Sequence, residues 1–175
     1  MALAVLAAAP GVRAQGAAAG EQRRLCLEAR REAAVTACRQ ALQMPLPARG
    51  AAVVRQALVD ALVELGRGGD AVDVLREAAS LHPADAEAQL KLGSGLLHLA
   101  GNAEEAVPVL QASLRLRAGD ARAYGELALA LHRLGQHAEA AAAFAEAERL
   151  DPAYFEDRPA ARASYEASKR GQSWP

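Results

Sequence analysis

Glycines at positions 66, 101 and 135 stand 35 and 34 residues apart, and three further columns keep the same register. Small residues fall at Ala71, Ala106 and Ala140, bulky ones at Leu75, Leu110 and Phe144, and small ones again at Ala78, Ser113 and Ala147. A fixed period of this length marks a supersecondary unit repeated along the chain, each unit burying its apolar face against the next. The columns have mechanical readings. Glycine ends the first helix of a repeat, because the turn needs a left-handed residue. A polar residue then starts the second helix: Asp70, Asn102 and Gln136 stand there, with Asn102 and Glu105 spaced as a capping box. The small residues let the two helices approach, and the bulky one fills the space between hairpins. Pro83 and Pro152 stop the second helix.

Composition makes the repeated unit helical. Alanine is about a quarter of the chain, isoleucine is absent, Thr36 is the only threonine, and aromatics are 3% against 52% hydrophobic residues. Strands favour the β-branched and aromatic residues missing here, whereas helices favour Ala, Leu, Arg and Glu. That much apolar content also excludes a disordered chain. With 20 Lys+Arg against 21 Asp+Glu, the net charge of −1 leaves no basic stripe for general nucleic-acid binding.

The third repeat carries Tyr124, Leu127, Ala128, Leu131, Gly135, Ala140, Phe144, Ala147 and Pro152, and in these residues the sequence resembles the tetratricopeptide repeat (TPR) family. The second repeat departs from the pattern with Gly93-Ser94, with Ala118 in place of a proline, and with Pro108 inside its second helix, where a local kink is expected. The first lacks aromatics and has Arg55 where a large apolar residue is usual. The resemblance implies an all-α fold: helical hairpins stacked as a short right-handed superhelix, with a C-terminal capping helix. Three repeats are expected at 52–85, 87–120 and 121–154, after a degenerate hairpin at 21–48. The boundary segment is 44–50, whose prolines end one helix and whose Gly50 frees the chain for the next. In 155–175, Asp157 is expected to cap a helix with Pro159 in its first turn, running through Arg170 and stopping at Gly171. Arg162, Glu166, Lys169 and Arg170 suit its outer face, and Tyr154, Phe155 and Trp174 are expected to pack inward.

Residues 1–20 read as a leader and flexible segment. Ala2 to Ala9 are too few to span a bilayer but match the hydrophobic part of a secretory signal, and Val12-Arg13-Ala14 gives a small-x-small cleavage pattern before Gln15. No positive residue precedes the run, and the alternative is an unprocessed Ala/Gly-rich tail. Cys26 and Cys38 are the only cysteines. On one continuous helix they lie too far apart to bond. With a turn near Arg30 to Glu32 they meet, either as a disulfide in an exported protein or as two small core residues.

Catalytic spacing is lacking. None of His82, His98, His132 and His137 pairs with a cysteine or carboxylate at metal-binding or nucleophile spacing. Gly93-Ser94-Gly95 has neither the strand nor the lysine of a phosphate loop and reads as close helix packing. His98 and His132 hold the same place in successive repeats, so stacking makes them neighbours. The TPR resemblance implies that this face lines a concave groove. Its residues would be Gln56, Asp60 and Glu64, then Lys91 and His98, then Arg122, His132 and Arg133, acidic at one end and basic at the other. A basic end suits a partner's carboxylate, but Gly95 and Leu129 stand where a chaperone-tail clamp has asparagine. The expectation is a non-catalytic protein-interaction module without cofactor, nucleic acid or membrane span, exported to the cell envelope and binding a peptide in the groove. The alternatives are a cytoplasmic adaptor or a metal-binding protein using His98 and His132.

Overall fold

The computed structural model describes residues 10–172. Among them are nine helices and no strand: α1 (Pro10–Glu28), α2 (Arg31–Leu42), α3 (Ala48–Glu64), α4 (Gly68–Leu81), α5 (Ala86–His98), α6 (Ala103–Leu116), α7 (Ala121–Arg133), α8 (His137–Leu150) and α9 (Pro159–Lys169). They fall into two compact units, an N-terminal one of residues 1–74 and a C-terminal one of residues 75–175. The apolar run Ala2 to Ala9 and Trp174 lie outside the described residues.

The three repeat glycines occupy equivalent turns, with φ of 71° at Gly66, 67° at Gly101 and 74° at Gly135. The residue after each glycine donates its amide back to a leucine carbonyl: Arg67 to Leu62 at 2.8 Å, Asn102 to Leu96 at 2.8 Å, Gln136 to Leu131 at 2.9 Å. This pairing satisfies carbonyls left open at a helix end. The middle turn is one residue longer, which accounts for the 35-residue step. Gly171, with φ of 65°, ends α9 in the same way. A Cβ added at Gly135 meets nothing within 4 Å, so only backbone conformation opposes a side chain there. Gly135→Ala is therefore expected to cost about 1–2 kcal/mol, read as a lower urea midpoint with unchanged slope.

In the N-terminal unit α1 packs on α2 and α3, and α2 packs on α3. Val35, Ala41, Val54, Leu58 and Leu62 are buried between them. The chain reverses at Ala29 and Arg30, which brings the Cα atoms of Cys26 and Cys38 to 4.6 Å and joins the two residues in a disulfide. Three sequence expectations need correction here. The flexible stretch Gly16 to Gly20 is helical, because the intervening alanines favour helix and Ala19 is buried. Gly50 is no hinge: α3 starts two residues earlier behind Pro47, and Gly50 sits buried inside its first turn. Asp70 does not cap α4, which begins at Gly68; it lies in the first turn and pairs with Arg67, which also reaches Glu32 at 3.1 Å.

In the C-terminal unit α5 packs on α6, α6 on α7, α7 on α8, and α9 on both α8 and α7. Asp85 caps α5, accepting from the Glu87 amide, and Asp120 caps α7, accepting from Arg122 and Ala123. Asn102 caps α6 by accepting from the Glu105 amide at 3.0 Å, while its own side-chain amide donates to the Glu105 carboxylate at 3.1 Å. Gln136 holds the cap position of α8 without a side-chain bond. Helix α6 continues through Pro108. A Cβ at Gly93 would lie 2.5 Å from Leu110 Cγ, so Gly93 does serve close helix packing. The cap of α9 is Arg158, not Asp157, and Asp157 instead pairs with the Arg158 guanidinium at 2.9 Å.

Candidate functional site

In the C-terminal unit the exposed faces of α5 and α7, together with the start of α9, enclose a cavity of about 560 Å³. The repeat register delivers its walls. Lys91, Ser94 and His98 project from α5 at helical spacing, and Arg122, Glu126 and Leu129 project from α7. Tyr154 and the residues Asp157 to Ala161 form the opposite wall. A second cavity of about 380 Å³ lies beside it, and the two share His98, Leu129, Ala160 and Ala161.

Of the sequence-predicted residues, Lys91, His98 and Arg122 come together on the larger cavity, and His98, His132 and Arg133 on the smaller. Gln56, Asp60 and Glu64 lie on α3 in the N-terminal unit, where the Gln56 amide donates to Asp60 at 2.9 Å. The expected basic end is instead a charge-paired network. Arg122 bonds both oxygens of Glu87, at 3.1 and 3.0 Å, and Arg117 bonds Glu87 at 3.1 Å and Asp120 at 2.7 Å. Burial pulls the Glu87 carboxyl upward, but hydrogen bonds from Arg122 and Arg117, with Lys91 nearby, outweigh it and hold the group below the usual carboxylate range. Arg133 is spent on structure, its Nη1 donating to the Leu97 carbonyl near the end of α5. His132 is a further correction. It is not on an open groove face but 3% exposed, with Nδ1 2.8 Å from Ser168 Oγ of α9.

Sequence reasoning missed Glu87, Glu126 and Tyr154 as cavity residues. Glu87 carried a readable signal, since it and Arg122 are each the second residue of their helices and stacking sets opposite charges side by side. Glu126 lies 2.6 Å from His98 Nε2, which donates to it because a carboxylate only accepts. Burial raises the Tyr154 hydroxyl to about 12, Glu126 adding to the effect and Arg158 offsetting it, so the phenol stays protonated. Tyr154 lies over Gly125: a Cβ there would fall 1.6 Å from the Tyr154 oxygen. Gly125→Ala is expected to evict Tyr154 from the cavity wall and cost about 1–3 kcal/mol, checked by chemical denaturation. Among the described residues no three His, Cys, Asp or Glu side chains are placed to hold a metal, and no helix is long and apolar enough to cross a membrane.

A family model described as tetratricopeptide repeat matches residues 100–155, and a second of the same description matches 52–95. No curated protein sequence matches. Among solved structures, MamA is similar over 92% of this chain and 79% of its own, at 20% identity and a TM-score of 0.64. MamA 41-end from Desulfovibrio magneticus RS-1 is similar over 94% and 93%, at 22% identity and 0.62. TTC0263, a thermophilic TPR protein in Thermus thermophilus, is similar over 91% and 79%, at 18% identity and 0.57. At these identities the likeness is one of fold.

Proposed function

The chain belongs to the tetratricopeptide repeat family and is a protein-interaction scaffold; from that premise we propose that it acts without catalysis, in an exported state, by holding an extended segment of a partner protein in the cavity between α5, α7 and the start of α9. The observation that carries this reading is the cavity itself: about 560 Å³, walled by side chains already fixed in hydrogen bonds and ion pairs. A receptor ordered before binding loses little freedom when the ligand arrives, so more of the contact energy appears as affinity. Leu129 and Ala160 offer an apolar patch for one ligand side chain, ringed by Lys91, Arg122 and Glu126 for backbone and polar groups. Export is supported by the buried Cys26–Cys38 bond, since disulfides persist in oxidising compartments, and by the signal-like run Ala2 to Ala9.

The test uses a displayed library of random twelve-residue peptides selected on the full chain. Ser94→Trp fills the cavity from a half-buried position on α5. Selected peptides are expected to lose at least tenfold in affinity for Ser94→Trp while helix content is unchanged. Equal binding to both proteins contradicts the groove.

A further inference from the structure

His132 is the one Asp, Glu, His, Lys or Arg buried among the described residues, and it lies where α9 meets α7. The buried residues of α9 are small, one alanine and two serines: Ala161, Ser164 and Ser168. We propose that His132 makes α9 a pH-sensitive latch, proton uptake at the imidazole loosening α9 from α7 and merging the two cavities that its first turn now separates. The titratable groups around the imidazole are mostly basic. From α8, His137 approaches with ring centroids 5.4 Å apart. From α7 itself comes Arg133, and from α5 comes His98, which already holds the carboxylate of Glu126 at 2.6 Å. From α9 the residues facing the site are Ala160, Ala161, Ser164 and Ser168, all uncharged, while the neighbouring Lys169 is paired with Glu166 at 2.7 Å. A proton on His132 therefore places a buried positive charge beside other basic groups, and moving α9 away lets water reach it.

Burial, with His137 adding to it, holds the His132 imidazole below its ordinary value of 6.5. The seated state thus binds the proton more weakly than the loosened one. Loosening is favoured as pH falls through about 6.5, and the seat is most secure above that. One proton multiplies the loosened population by at most about tenfold per pH unit, and by at most about tenfold between pH 7.5 and 5.5. The two cavities share Ala160 and Ala161 of α9, so loosening the helix opens the groove sideways. That consequence rests on the proposed peptide site, but the latch does not.

Hydrogen exchange on the full chain, without peptide and corrected for intrinsic rates, tests it. Amides of α9 are expected to exchange faster at pH 5.5 than at 7.5, by more than twofold and at most about tenfold, with α5 and α6 changing less than twofold. His132→Asn, which keeps a polar atom near Nδ1 but does not titrate, flattens the response, and His137→Gln retains it. In the wild type the NMR titration of the His132 ring tracks α9 opening. An α9 rate indifferent to pH, a response that survives His132→Asn, or equal acceleration across α5 to α9 overturns the latch. Because no peptide is present, such a result leaves the groove reading standing.

Discussion

Phe144→Ala is expected to destabilise the C-terminal unit by about 3–5 kcal/mol, the cost of truncating a buried ring that its neighbours cannot replace. Phe144 is fully buried on α8. Its ring centroid lies 5.9 Å from that of Phe155 and 5.6 Å from that of Tyr165, and Phe155 stacks on Tyr165 at 5.5 Å and meets Tyr154 edge-on at 5.1 Å. Four of the six aromatic residues in the sequence thus stand in one cluster that joins α8, the segment after it and α9. An alanine at 144 removes the one ring of the cluster that is fully buried. Chemical denaturation should show the loss, and hydrogen exchange should show α9 losing protection before α5. A change below about 1 kcal/mol would mean that the cluster does not anchor α9.

Removing the Cys26–Cys38 bond is expected to lower stability by about 3 kcal/mol, since it closes a short loop and its loss returns chain entropy to the unfolded state. Both residues are buried, at 2% and 0% exposure, so a reductant reaches the bond through opening of α1 from α2. The double variant Cys26→Ser with Cys38→Ser should melt at lower urea concentration and lose exchange protection in α1 and α2. Intact mass of protein taken from its own cell, alkylated with and without reductant, bears on the compartment. Alkyl adducts only after reduction fit export, whereas two adducts without reductant on a chain retaining Met1 contradict it.

The repeat architecture was legible because it rests on local backbone chemistry. Gly66, Gly101 and Gly135 mark turns that only a left-handed residue closes cheaply, and they sit in those turns with nearly the same φ. The stop at Gly171 was legible for the same reason, and the inward packing of Tyr154 and Phe155 because large rings leave water where a surface is offered to them. Caps were less so: Asp70 and Asp157 are good cap residues by type, but each is drawn into an ion pair with a neighbouring arginine. The site was legible as a face and not as a network. Register puts Lys91, His98 and Arg122 on one side, but which carboxylate meets which cation depends on stacking distance and side-chain reach. His132 was misplaced because the repeat pattern stops at residue 152 and does not reveal that α9 returns over α7.

The central claim is that the α5–α7 face, and not the outer surface of α6 and α8, meets the partner. Amide chemical-shift mapping of the labelled full chain, titrated with a peptide selected from the displayed library, tests it most directly. Perturbations are expected at Lys91, Ser94, His98, Arg122, Glu126 and Leu129. Perturbations gathered instead at Glu104, Gln111 and Arg115 of α6 and Ala138, Ala145 and Glu148 of α8 would contradict the account.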